Sequence, residues 1–260
     1  MKRVEKEFKQ EFLKLNIPGF DDLINPGVPE GTAILVEGGP GSGKTIFCLN
    51  VGINACKEGK KVLYMSFEEP EYRLRNHLKN FGLNAEEYEK KGLLYIKRFN
   101  ALDISRSVEA LLSEAKKELL IDVQPVLIPS DFKPDIVCID SLSSIASAFA
   151  GEESRFRIYM EQLFRYLESH EITSFLIRET ANPTHIGATF IEKGEAVSFL
   201  SDGIIAIYNV LFNNSVRGRA LEIVKMRGAD IKRQIVECEV NKKGFRVYPS
   251  KIIKGDYKLT

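Results

Sequence analysis

The sequence predicts an α/β protein with a mostly parallel central sheet flanked by helices and an antiparallel extension towards its C-terminal side. Three observations carry this reading. Short β-rich runs alternate with amphipathic helical ones between about residues 32 and 178. A glycine-rich loop joins the first such run to its helix. After Gly203 the texture changes to β-rich runs with little helix between them. Strand–helix alternation at this spacing builds right-handed βαβ units, and therefore parallel pairing. The later texture calls for hairpins.

Taken in order, Thr32 to Glu37 (TAILVE) is a short apolar strand, and Lys44 to Lys57 reads as the helix behind the glycine-rich loop. Lys61 to Phe67 (KVLYMSF) is the next strand, Glu71 to Phe81 a helix, and Leu93 to Phe99 a third strand. Val108, Leu111, Leu112, Ala115 and Leu119 recur at helical spacing, as do Phe156, Met160, Leu163, Phe164 and Leu167. Asp135 to Asp140 (DIVCID) and Ile172 to Arg178 (ITSFLIR) are buried strands. Ile204 to Val210, Ala220 to Met226 and Ile235 to Tyr248 follow. The last is broken by the turn sequence Asn241-Lys242-Lys243-Gly244. Residues 1–15 place Val4, Phe8, Phe12 and Leu15 at roughly helical spacing, as an N-terminal arm packed on its own domain or on a neighbouring subunit. Residues 16–260 read as a single domain, with no linker of low complexity to divide them.

Composition excludes several classes. Lys+Arg number 37 against 36 Asp+Glu, so no global field attracts nucleic acid or anionic lipid, and such a partner needs a local patch. No apolar run approaches the roughly 20 residues that span a bilayer, which points to no membrane partner and a cytoplasmic location. Cys48, Cys56, Cys138 and Cys238 form no C-x-x-C pair and sit mostly in apolar segments. They read as buried thiols in a reducing compartment rather than zinc ligands. His77, His170 and His185 lie far apart without ligand spacing.

The sharpest chemical signal is Gly38-Gly39-Pro40-Gly41-Ser42-Gly43-Lys44-Thr45, which fits G-x-x-x-x-G-K-[ST] after a strand and before a helix. Glycines let the backbone wrap an anion with its N–H groups, and the helix adds the positive end of its dipole. Lys44 is placed for the β- and γ-phosphates, and the Thr45 hydroxyl for Mg²⁺. The nucleotide-binding set is therefore Gly39, Pro40, Gly41, Ser42, Gly43, Lys44, Thr45 and Ile46, with ATP or ADP as ligand. Asp140 ends an apolar strand and reads as the carboxylate behind the same Mg²⁺. Glu68 and Glu69 end KVLYMSF just before Pro70, at the strand end where a parallel sheet opens its ligand crevice. Adjacent side chains on an extended backbone point opposite ways. One glutamate, with Glu68 preferred, faces the phosphate and activates water while the other supports it or faces out; the plain alternative is that both cap the helix starting near Pro70. Glu179 ends the ITSFLIR strand and is a candidate sensor of the γ-phosphate, or simply a strand-end acid.

These segments together resemble the KaiC-like branch of the RecA superfamily. Ile17-Pro18-Gly19-Phe20-Asp21-Asp22-Leu23 is similar to that family's entry motif, and Ser66-Phe67-Glu68-Glu69 to its paired catalytic glutamates. Ser201-Asp202-Gly203 and Lys225-Met226-Arg227-Gly228 are similar to its late strands. The resemblance covers about residues 15–250 and implies a RecA-like core that assembles as a homo-oligomer, commonly a hexameric ring, with ATP between subunits. It also implies that Lys225 and Arg227 reach the neighbour's γ-phosphate. Without the resemblance, KMRG reads as a basic strand end and turn. The tandem clock protein carries two such domains and this chain one. The phosphorylated residues of the second domain have no counterpart here, so autokinase activity does not carry over. Leu119 to Pro134 looks like an insertion, without an assigned role.

The expected function is a Mg²⁺-dependent ATPase. The alternatives are a nucleotide-gated protein-interaction module and a DNA-binding recombinase-type accessory. The segments that would line a ring channel, Ser141 to Ser154 and Glu179 to Ser198, carry little positive charge. A DNA reading leans on Phe149, Phe190 and Phe199 for stacking and on Arg155, Arg157, Arg217 and Arg219 for charge.

Overall fold

A computed structural model describes residues 10–106, 128, 129, 131–180, 198, 200–212 and 216–259. Its strands are β1 (Phe12–Leu13), β2 (Ile24–Asn25), β3 (Val28–Pro29), β4 (Ala33–Gly38), β5 (Val62–Ser66), β6 (Leu94–Arg98), β7 (Ile136–Asp140), β8 (Thr173–Glu179), β9 (Gly203–Phe212), β10 (Arg217–Met226), β11 (Asp230–Ile231), β12 (Val236–Asn241), β13 (Gly244–Ile252) and β14 (Tyr257–Leu259). The helices are α1 (Lys44–Lys57), α2 (Glu71–Asn80), α3 (Ala85–Lys90), α4 (Leu142–Ser147) and α5 (Glu153–Ser169), with residues 101–106 also helical.

The main sheet has the order β13-β12-β10-β9-β4-β8-β7-β5-β6, and β14 adds to β9. Strands β6, β5, β7, β8, β4 and β9 run parallel, and β10, β12 and β13 continue the sheet antiparallel. The expected parallel core and antiparallel extension are both present, but Ile204 to Val210, expected in the extension, lies in β9, which pairs with β4 in parallel; the antiparallel strands begin at β10. The hairpin turns where the sequence placed it, between Asn241 and Gly244.

Both faces of the parallel strands are covered, which is why they read as continuous apolar runs. Along β4, Ile34 and Val36 join the core under α1, α2 and α3, while Ala33 and Leu35 join the core under α5. Leu142 and Ile145 of α4, and Tyr159, Met160, Leu163 and Leu167 of α5, fill the second core. Their recurrence every three to four residues is the pattern that makes α5 a helix.

Helix α1 is buried almost all round, so its two asparagines need partners. Asn54 Nδ2 donates to the carbonyls of Leu15 (3.1 Å) and Asn16 (2.9 Å), and Asn50 Oδ1 accepts the N–H of Phe245. Phe47 lies between Phe20 and Phe245, with ring centroids 5.6 and 5.3 Å away. The entry motif and the C-terminal extension thus clamp the helix that carries the phosphate loop. Asp21 rigidifies that entry by accepting the N–H groups of Leu15 and Asn16 at 2.9 and 2.8 Å.

Several expectations change. Phe12 and Leu15 are not helical: Phe12–Leu13 pairs with Val28–Pro29, and Leu13, Leu15 and Ile17 are buried while Lys14 and Asn16 are exposed. A period of two, not 3.6, governs this stretch; Val4 and Phe8 lie outside the described residues. The segment 141–154 is not an open loop, because α4 and the start of α5 occupy most of it. Phe149 is buried and stacks on Tyr159, so it cannot offer a face to a base. The helical pattern Val108 to Leu119, His185, Phe190 and Phe199 lie outside the described residues, as does most of 119–134. All four cysteines are buried and free.

Candidate functional site

The loop 38–45 leaves the carboxyl end of β4 between β8 and β9. Gly38 is required there by space: a Cβ on it would lie 2.0 Å from the Ile207 carbonyl oxygen of β9. Gly43, the residue before α1, has φ +109°, a conformation that glycine alone adopts without strain. At Gly41 (φ +71°) nothing lies within 4 Å of a Cβ position, so this limb of the loop faces open space.

Lys44 is buried, and its ammonium donates to the carbonyls of Gly38 (3.0 Å) and Gly39 (2.9 Å). Glu179 Oε1 stands 3.7 Å away. Burial pushes the lysine pKa down, and the charges of Glu179, Asp140 and Glu68 oppose that shift. Thr45 Oγ1 donates to Asp140 Oδ2 at 2.9 Å, and Tyr64 OH donates to the same oxygen at 2.8 Å. Burial raises the Asp140 pKa to about 6; those two hydrogen bonds act against the rise, and the charges of Glu68 and Glu69 add to it. Burial, with the charge of Asp140, likewise pushes Tyr64 well up.

The two glutamates diverge, although both lie in a bend beyond the end of β5 rather than on its extended backbone. Glu68 turns towards α4, where its Oε1 accepts from Ser141 Oγ (2.6 Å) and Ser144 Oγ (2.8 Å). Glu69 turns to α2: its Oε2 lies 3.0 Å from His77 Nε2 and 3.8 Å from Arg73 Nε. The structure therefore brings Lys44, Thr45, Asp140, Glu68 and Glu179 to one sheet edge and directs Glu69 away from it.

Lys225 and Arg227 lie elsewhere. Lys225 pairs in register with Ile204, and Ile204 with Leu35. That is three residues, or about 10 Å at 3.3 Å per residue, short of Gly38 and towards the amino edge. Lys225 Nζ donates to the Ser201 carbonyl (2.6 Å), and Arg227 Nη1 meets Asp202 Oδ1 at 3.2 Å. Neither belongs to the phosphate loop of its own chain.

Sequence reasoning missed part of the site. Asn209 Nδ2 donates to the Pro40 carbonyl (3.1 Å), and Arg219 Nη2 to the Gly41 carbonyl (3.2 Å). Asn209 comes from β9, the last parallel strand, and Arg219 from β10, the first antiparallel one, with no local motif to mark either; the sequence suggests Arg219 only as a cation for DNA. Tyr64, Ser141 at the cap of α4 and Ser144 within it likewise carry no motif that marks them. Of the other cations in the DNA reading, Arg155 and Arg157 pair with Glu152 (2.8 Å) and Glu161 (3.1 Å).

The residues present fit a Mg²⁺-nucleotide. The Thr45 hydroxyl and the Asp140 carboxylate meet beside the Lys44 ammonium, a hard-oxygen pair suited to that cation. The Ser42 hydroxyl is buried without a hydrogen-bond partner among the described residues. A glycine-built loop at the carboxyl edge of a parallel sheet, with a strand-end aspartate behind it, defines a RecA-like phosphate-loop ATPase domain.

The family model described as "ATPase: KaiC" matches residues 13–252, and the chain belongs to the KaiC ATPase family. It is 28% identical over 249 residues to a UPF0273 protein of Pyrococcus horikoshii, covering 93% of this chain and 96% of that one. A UPF0273 protein of Methanopyrus kandleri is 31% identical over 251 residues, covering 93% and 94%. The circadian clock oscillator protein KaiC of Rippkaea orientalis is 29% identical over 241 residues, which span 90% of this chain and 43% of that protein. Among solved structures, a KaiC-like protein of P. horikoshii superposes with a TM-score of 0.72 at 28% identity, covering 93% of this chain and all of that one. No helix among the described residues is long and apolar enough to cross a membrane.

Proposed function

We propose that the protein hydrolyses ATP in a Mg²⁺-dependent reaction, as a homo-oligomeric ring, commonly hexameric in this family, with nucleotide at the subunit boundaries. One observation carries the catalytic reading: a glutamate held by two hydroxyls stands at the same sheet edge as a buried lysine and a threonine–aspartate pair.

In this reading residues 39–46 bind the triphosphate. Backbone N–H groups and Lys44 hold its β- and γ-oxygens, while Ile46 packs the start of α1 onto the core. Thr45 and Asp140 would hold Mg²⁺, which supplies charge neutralisation on the phosphate oxygens. Glu68 takes a proton from water as the water oxygen bonds to the γ-phosphorus; the bond to the bridging oxygen breaks, and ADP leaves with that electron pair. Glu69 supports the strand end from the α2 side. Glu179 balances the Lys44 charge and senses the γ-phosphate. Lys225 and Arg227, remote from their own loop, serve the neighbouring subunit, where an added cation offsets charge on the transferred group.

The test is turnover of the full chain beside its Glu68→Gln variant, with Mg-ATP affinity measured in parallel. Losing a general base lowers the rate by about 10²–10⁴. The expected variant binds normally and loses turnover on that scale. Equal rates would remove Glu68 from the role. Unchanged affinity in Lys44→Ala would overturn the nucleotide site itself.

A further inference from the structure

The cap and first turn of α4 carry three serine hydroxyls within four residues, Ser141, Ser143 and Ser144, and each makes a contact at the catalytic edge. Ser141 Oγ and Ser144 Oγ donate to one oxygen of Glu68, Oε1, at 2.6 and 2.8 Å. Ser143 Oγ accepts the backbone N–H of Glu179 at 2.9 Å. Glu68 follows β5 and Glu179 ends β8, while α4 follows β7, the strand between them. On the opposite side of the helix, Leu142 and Ile145 are buried in the core beneath α5. The helix is thus fixed from below, with its hydroxyls directed at the two flanking strand ends.

We propose that Ser144 is a positioning residue for Glu68 and Ser143 one for Glu179, so that the first turn of α4 sets both carboxylates against Lys44. This rests on the reading of Glu68 as the group that activates water. The terminal torsion of a glutamate is soft, with broad wells. Two donors on a single oxygen fix the carboxylate plane. Among the described residues no donor reaches Oε2, which leaves that oxygen to take the proton. A hydroxyl–carboxylate bond is charge-assisted and short, and both contacts here have that length.

Ser144 gives the cleaner perturbation of the two donors. Ser141 is fully buried, follows Asp140, and also caps α4 by accepting the Ser144 N–H at 3.3 Å. Ser144 is partly exposed inside the helix, where alanine is at least as good a helix former. Its removal leaves Glu68 with one donor of two.

The experiment compares steady-state Mg-ATP turnover of the full chain with Glu68→Gln, Ser144→Ala, Ser144→Val and Ser144→Thr. Glu68→Gln at background with wild-type turnover upholds the underlying reading; equal rates there sink that reading and this inference with it. Given the first result, Ser144→Ala and the threonine isostere Ser144→Val should each lower kcat about tenfold with KM unchanged, the effect of one charge-assisted bond. Ser144→Thr should remain within about threefold of wild type. Ser144→Ala at wild-type kcat, a loss confined to KM, or Ser144→Thr as slow as Ser144→Val would each overturn the Ser144 assignment while leaving Glu68 in place. For Ser143, amide hydrogen exchange at Glu179 should accelerate about tenfold in Ser143→Ala at unchanged Tm; unchanged exchange overturns that half.

Discussion

Replacing Asp140 with asparagine keeps a hydrogen-bond acceptor for Thr45 and Tyr64 but removes the charge. In the folded chain burial lifts this carboxyl from its ordinary 3.8 to about 6. An acid whose pKa is higher folded than unfolded binds a proton on folding. Stability therefore falls as pH rises through the window from about 4 to 6, and the loss is complete above it. At about 1.4 kcal/mol per pH unit, the ionised side chain costs the fold about 3 kcal/mol at pH 7.5. Asp140→Asn should be more stable than wild type by roughly 2–3 kcal/mol at that pH without Mg²⁺, and the gap should close by about pH 4. Urea unfolding across this range, at fixed protein concentration, measures it. A variant no more stable than wild type at pH 7.5, or a gap that persists at pH 4, would refute the assignment of the strain to this carboxylate.

Gly38→Ala places a methyl 2.0 Å from the Ile207 carbonyl and should destabilise the fold by about 3 kcal/mol or more, read from the denaturation midpoint. Arg219→Ala removes a brace from the Gly41 carbonyl; calorimetry should find Mg-ATP affinity weakened about fivefold, with stability changed by less than about 0.5 kcal/mol. Arg227→Ala should be inactive alone, yet mixing it with Lys44→Ala chains should restore part of the turnover, since each supplies what the other lacks. No recovery on mixing would argue against action across a subunit boundary.

What the sequence revealed and what it hid follow the range of the interactions. The parallel strands and α5 were legible because burial imposes its period on neighbouring residues, as at Ile34, Leu35 and Val36. The phosphate loop was legible because one short stretch supplies both its backbone shape and its cation. The divergence of Glu68 from Glu69 is expected from strand alternation, but a bend after β5, held by the Glu69 N–H donating to Ser66 Oγ, produces it. Phe12 and Leu15 misled because their helical spacing hid the alternation of Leu13, Leu15 and Ile17, which only pairing with Val28–Pro29 selects. Helix α3 escaped because it is six residues long and mostly charged, held by the Asn84 side chain accepting the Glu87 N–H at 3.3 Å. Asn209 and Arg219 could not be found locally, because their roles arise only when β9 and β10 pair beside the loop.

That pairing also bears on how the chain comes to bind its ligand. The supports of the loop at Pro40 and Gly41 are contributed by residues 169 and 178 positions later in the chain. During synthesis the loop and its helix emerge early, yet their outer wall is made only after Arg219 has left the ribosome. Contacts of such long range form late in folding. Nucleotide affinity therefore belongs to the finished domain rather than to its first half. A ligand that recognises only this completed wall acts as a seal on folding, drawing the population towards the native state by mass action.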